Sequence, residues 1–188
     1  MTLPRWSLRA PTAIAMNPWS LQSPLCLQSK ASSLCAEERT EQIHIQAERI
    51  DLDTLSKVWL YGNNAVSLSG ELDARATMGR SDSYPLDLRI EGRDLALQAP
   101  DQDPLPIREV SVDARVDGSI EVTGSIITDV GNISGRSLWP DSEHALSQRP
   151  MQGQLQMDID TLDWLAYFSP EIGQTGGRIE GQFELAGT

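Results

Sequence analysis

The chain has 188 residues, with 27 acidic against 15 basic side chains and a net charge of -12 spread singly along the sequence. That length fits one domain or a slice of something longer, and the charge excludes nucleic acid as a partner, whose affinity rests on clustered Lys and Arg. No run of about eighteen apolar residues occurs, so no segment reads as a membrane-crossing helix.

From Arg5 to Leu27 short strand-like pieces are broken by Pro11, Pro18 and Pro24, which suits edge strands and loops. Arg5 and Arg9 lack the continuous apolar segment of a signal peptide, so if the protein is exported its signal or anchor is expected upstream. Cys26 and Cys35 are the only cysteines. Placed at facing ends of two strands joined by Ser29-Lys-Ala-Ser-Ser33, their sulfurs could approach bonding distance. Two buried free thiols suit the residues equally well. Glu37 to Gln42 reads as a polar link, and Ile43, Ile45 and Ala47 then alternate as a strand.

One phrase occurs twice. Ile50-Asp-Leu-Asp-Thr-Leu55 returns as Met157-Asp-Ile-Asp-Thr-Leu162, and each copy is followed by a Gly-containing alternation, Leu68-x-Gly70-x-Leu72 and Ile179-x-Gly181-x-Phe183. The second copy reads as a strand over Gly153 to Asp160, a short helical turn over Thr161 to Phe168 ended by Pro170, a glycine turn, and a strand from Arg178 to Leu185.

Between the copies the alternation is long. Val66, Leu68, Leu72, Ala74 and Ala76 alternate with Ser67, Ser69, Glu71, Asp73 and Arg75. Leu86, Leu88 and Ile90 alternate with Asp87, Arg89 and Glu91, as do Val110, Val112, Ala114 and Val116 with Ser111, Asp113, Arg115 and Asp117. Ile120 and Val122 follow, then Leu155, Met157 and Ile159, and lastly Ile179, Phe183 and Leu185. Period two puts each apolar set on one strand face. Turns are expected at 79–83, 100–104, 117–119 and 130–132, with Asp117-Gly118 the strongest signal, and 139–150 reads as a polar loop.

No stretch forms a helix long enough to cover a sheet. The greasy faces therefore meet a second sheet, roll upon themselves, or face a ligand. Strands of about seven residues would span roughly 23 Å, comparable with a lipid tail.

Catalytic constellations are absent. His44 and His144 stand outside any nucleophile motif. Asp51/Asp53 and Asp158/Asp160 follow the wet side of the alternation, although paired carboxylates can hold calcium or move protons. The two cysteines lack the companions of a metal site.

Trp6-Ser-Leu8, Pro24-Leu-Cys-Leu27, Leu34-Cys35, Ile50-Asp-Leu-Asp-Thr-Leu55, Leu162-Asp-Trp-Leu165, Pro170-Glu-Ile172 and Gly177-Arg-Ile-Glu-Gly181, in that order, resemble the TamB family. Those proteins are inner-membrane-anchored, periplasm-spanning subunits of the translocation and assembly module, and the likeness falls at and just before the start of the family's C-terminal domain. The resemblance implies an elongated, curled, antiparallel-rich all-β sheet forming an open apolar groove, with one or two short helical turns. It also implies a disulfide between Cys26 and Cys35 in an oxidising periplasm.

Residues 1–42 are expected to hold the proline-broken strands and the cysteine pair. Residues 43–188 are expected to form the repeated groove segment, with copies at about 43–76 and 153–188 and both ends cut. The expected function is non-enzymatic and without cofactor or metal. The apolar residues of the alternating runs would line a path for phospholipid acyl chains, and a TamA-like outer-membrane barrel would be engaged through other parts of the protein. The competing expectation is a β-scaffold that pairs its edge with outer-membrane protein clients.

Overall fold

The computed structural model describes residues 5–16, 19–53, 67–80, 85–98, 103–142, 148–162 and 176–187. The first strands are short: β1 (Ser7–Leu8), β2 (Ile14–Met16), β3 (Trp19–Leu21) and β4 (Leu25–Ser29). Then come β5 (Ser32–Arg39), β6 (Gln42–Asp51), β7 (Ser67–Gly79), β8 (Leu86–Gln98) and β9 (Leu105–Asp117). The last four are β10 (Ser119–Thr128), β11 (Gly131–Trp139), β12 (Met151–Ile159) and β13 (Ile179–Gly187).

Strands β1 and β4 to β13 form one eleven-stranded sheet whose spatial order follows the chain, while β2 and β3 pair separately. Every pairing is antiparallel, as short connections between neighbours require. The sheet is not closed into a barrel, since β1 and β13 stand at opposite edges. Ten strand spacings make it roughly 48 Å wide, and its longest strands reach about 44 Å. No helix among the described residues is long and apolar enough to cross a membrane.

Both copies of the repeated phrase do the same structural work. Each ends a strand, β6 or β12, whose antiparallel partner is the strand carrying the second shared element, β7 or β13. The third residue of the phrase is buried in both copies, Leu52 at 8% and Ile159 at 3% exposure. Leu52 and Asp53 begin a helical turn. The turn expected after Thr161 lies outside the described residues beyond Leu162, as does Val66.

Two expectations need correction. Strands β7, β8 and β9 run for 13 residues rather than seven, because β-bulges carry the ladder past the points where alternation breaks. Arg49 and Asp94 take positive φ values of 50° and 51°. At the first, two residues of β6 oppose one of β7, and at the second β8 carries an extra residue against β7. A third shift, against β10, falls between Glu109 and Ile107 of β9. Each bulge moves the apolar phase by one residue, so Ile43, Ile45 and Ala47 hand over to Ile50, and Ile90 hands over to Leu95 and Leu97, without leaving the face.

The second correction concerns 37–42, which is not a link. Glu37 to Arg39 complete β5, Gln42 opens β6, and only Thr40 and Glu41 turn, both at positive φ. That is the backbone a tight hairpin with matching twist demands.

Candidate functional site

The registers set one residue from each of the eleven strands in a single row. It begins Leu8, Leu27, Leu34, Ala47, Ala74 and Ile90. It continues through Val112, Gly124, Gly135 and Leu155 to Phe183. Every member is apolar or glycine. Flanking rows repeat the pattern: Ile50, Leu72, Gly92, Val110, Ile126, Ile133 and Met157 on one side, Ile45, Ala76, Leu88, Ala114 and Val122 on the other. All the apolar residues read from the sequence that lie among the described ones, Leu68 to Leu185, share this face. Leu86, Val116 and Ile120 lie at one strand end, Leu68 and Ile179 toward the other, and Leu185 near the β13 edge.

Little covers it. Among the described residues only Leu21, Ile43, Leu52, Leu95 and Ile159 are buried hydrophobics, and no side chain falls below 2% exposure. Most of the face is half-buried, with Leu34, Ile45, Ile126, Phe183 and Leu185 at 37% or more. The accessible surface of the chain is 13084 Å², where a compact protein of 20.7 kDa exposes about 8,900 Å².

An enclosed part of the face lies beyond the bulges. Leu97, Leu105, Ile107, Ile126, Ile133 and Ile159 line a concavity of about 190 Å³ whose wall is almost wholly apolar. Of these only Ile159 was read from the sequence as a face residue. For Leu97, Leu105 and Ile107 the signal was a one-residue slip in apolar phase after Gly92 and before Val110, where a strict period-two count stops, whereas Ile126 simply continues the phase of Ile120 and Val122.

The opposite face is a lattice of charge. Arg115 bonds Asp87 at 2.9 Å, Arg89 reaches Glu91 at 2.8 Å, Arg136 meets Glu121 at 2.7 Å, and Arg178 bonds Asp158 at 3.0 Å. These contacts hold the Glu91 carboxyl below its ordinary range through Arg89 and then Arg93, and that of Glu37 through Arg39. They raise Arg115 through Asp87 and Arg178 through Asp158. All of these groups lie in solvent, where such pairs add little to stability.

Cys26 and Cys35 sit directly opposite each other on this polar side and their sulfurs are bonded, with Cα atoms 4.1 Å apart. His44 hydrogen-bonds the Thr77 hydroxyl at 3.2 Å, and His144 lies outside the described residues. The Asp51 carboxylate accepts the Asp53 N–H at 3.1 Å. Asp160 stands 3.9 Å from Arg178. Among the described residues no group of three or more His, Cys, Asp or Glu could hold a metal ion.

No curated protein and no solved structure matches the chain. A family model described as "TamB, N-terminal domain" matches residues 2–188. The sequence placed the likeness at and just before the start of the C-terminal domain, whereas the match is to the N-terminal domain. With that match spanning nearly its whole length, the chain belongs to the TamB family.

Proposed function

We propose that this segment is a non-enzymatic stretch of a lipid conduit, in which the apolar face takes phospholipid acyl chains. The observation that carries the reading is the row of apolar and glycine residues crossing all eleven strands, with no second layer over most of it among the described residues. So large an open apolar surface exceeds what soluble monomers tolerate without a ligand or partner. Burial of a tail contributes about 0.8 kcal/mol per methylene, so roughly a dozen carbons are held without a polar contact. The headgroup is then free to vary.

Membership of the family supports the rest of the proposal. The segment works within the translocation and assembly module, in the periplasm, in a protein anchored to the inner membrane and partnered by a TamA-like barrel. It supports phospholipid passage to the outer membrane and protein assembly there. A second reading has its own observation: β13 pairs only with β12 among the described residues, so its outer edge can accept a strand of an outer-membrane protein client.

The test is a photo-crosslinker at Leu88, Val112 or Met157 in the full-length protein, with controls at Asp87, Asp113 or Asp158. Lipid adducts at the first set alone are expected. Equal labelling of both faces, or none on the apolar one, contradicts the conduit.

A further inference from the structure

Bulge residues aside, Glu38 is the one charged residue at an apolar-face position of the described strands, in the row of Ile43, Met78, Leu86 and Val116. A carboxylate among aliphatic side chains is unfavourable unless its oxygens are bonded. Both are: Oε2 accepts the Leu21 N–H at 2.8 Å and Oε1 accepts the Arg80 guanidinium. Leu21 ends β3, in the two-stranded hairpin that pairs with no strand of the large sheet.

The hairpin is an excursion between β1 and β4. Its base is closed by Gln22 N–H on the Ala13 carbonyl and by the Thr12 hydroxyl on the Pro24 carbonyl, both at 3.0 Å. Its Ile14 and Met16 are 45% and 81% exposed. Where it meets β5 the apolar face is closed: Leu21 is 9% exposed and Ile43, directly opposite Glu38, is 8%. Further along the same row Met78, Leu86 and Val116 are only half-buried.

We propose that the β2–β3 hairpin is a gate over the β4–β5 end of the apolar face, latched by Glu38, and that its release opens an acyl-chain site at Ile43. This rests on the conduit reading. The Leu21 N–H and the Arg80 guanidinium converge on one carboxylate, so the Glu38 side chain ties the hairpin to the large sheet. The face beyond the gate, around Met157, stays open in both states.

The test uses the full-length protein with a photo-crosslinker at Ile43 or at Met157, in wild type and Glu38→Ala, with amide exchange followed in parallel. Loss of a hydrogen bond to a charged acceptor is expected to speed Leu21 amide exchange about 10- to 100-fold. The Ile43 lipid adduct should rise about tenfold relative to Met157. Glu38→Gln, which keeps an acceptor for Leu21, should move both readouts the same way by less, and it replaces Glu38→Ala if exchange in β8 to β10 shows that the alanine loosens the sheet. Unchanged Leu21 exchange overturns the latch, and Met157 labelling with no gain at Ile43 overturns the gate while leaving the conduit standing. No adduct at either position overturns both.

Discussion

Leu95 owes its burial to two side chains that are missing. It is 5% exposed because Gly70 and Gly92 leave room for it: a Cβ at Gly92 would lie 2.7 Å from its Cδ1, and one at Gly70 would lie 2.7 Å from its Cδ2 and 2.6 Å from the Asp94 carbonyl oxygen. Gly70 also sits at φ +116°, where an L side chain is strained. Backbone oxygen cannot swing away as a side chain can, so Gly70→Ala should cost about 2–4 kcal/mol. Gly187→Ala, with nothing within 4 Å, should change stability by less than about 0.5 kcal/mol. Urea unfolding of the two variants checks this, and equal midpoints would remove the notch from the account. The sequence shows these glycines but not their partner, because Leu95 reaches them only through the bulge at Asp94.

At the scale of elements, alternation left β11 (Gly131–Trp139) unread but made β6 to β10, β12 and β13 legible, since one face is wet along nearly every one. It did not give their lengths. Bulges at Arg49, Asp94 and the 107–109 stretch interrupt the period while the hydrogen-bond ladder continues. Glu37 to Arg39 looked like a link because Glu38 breaks the apolar phase, and what keeps the stretch in a strand is its backbone pairing with His44, Ile43 and Gln42 of β6.

The Cys26–Cys35 bond joins β4 to β5 near the narrow β1 edge. Closing so short a loop stabilises by roughly 2–3 kcal/mol in the chain-entropy account, and β1 contributes only two residues there. Protein made in an oxidising compartment should give a single Cys26–Cys35 peptide by mass spectrometry without reduction. Reduction should speed amide exchange in β1 and β4 and leave β8 to β10 unchanged. Two freely alkylated thiols, or a uniform loosening of the whole sheet, would contradict this.

For the whole molecule the governing fact is a sheet of eleven strands with one apolar face that the described residues leave largely uncovered. The one-sidedness was legible in the sequence. That the rows align from Leu8 to Phe183 was not, because registers are set by pairing geometry and bulges rather than by composition. The central claim is that this aligned face carries lipid. Native mass spectrometry of the full-length protein, prepared so that bound lipid is retained, tests it most directly when wild type is compared with Val112→Glu, which puts a charge in the middle of the row, and Asp113→Asn, its neighbour on the wet face. The account predicts bound phospholipid in wild type and Asp113→Asn and its loss in Val112→Glu, with the fold of all three intact by circular dichroism. Phospholipid retained equally by Val112→Glu, or absent from wild type, would contradict it.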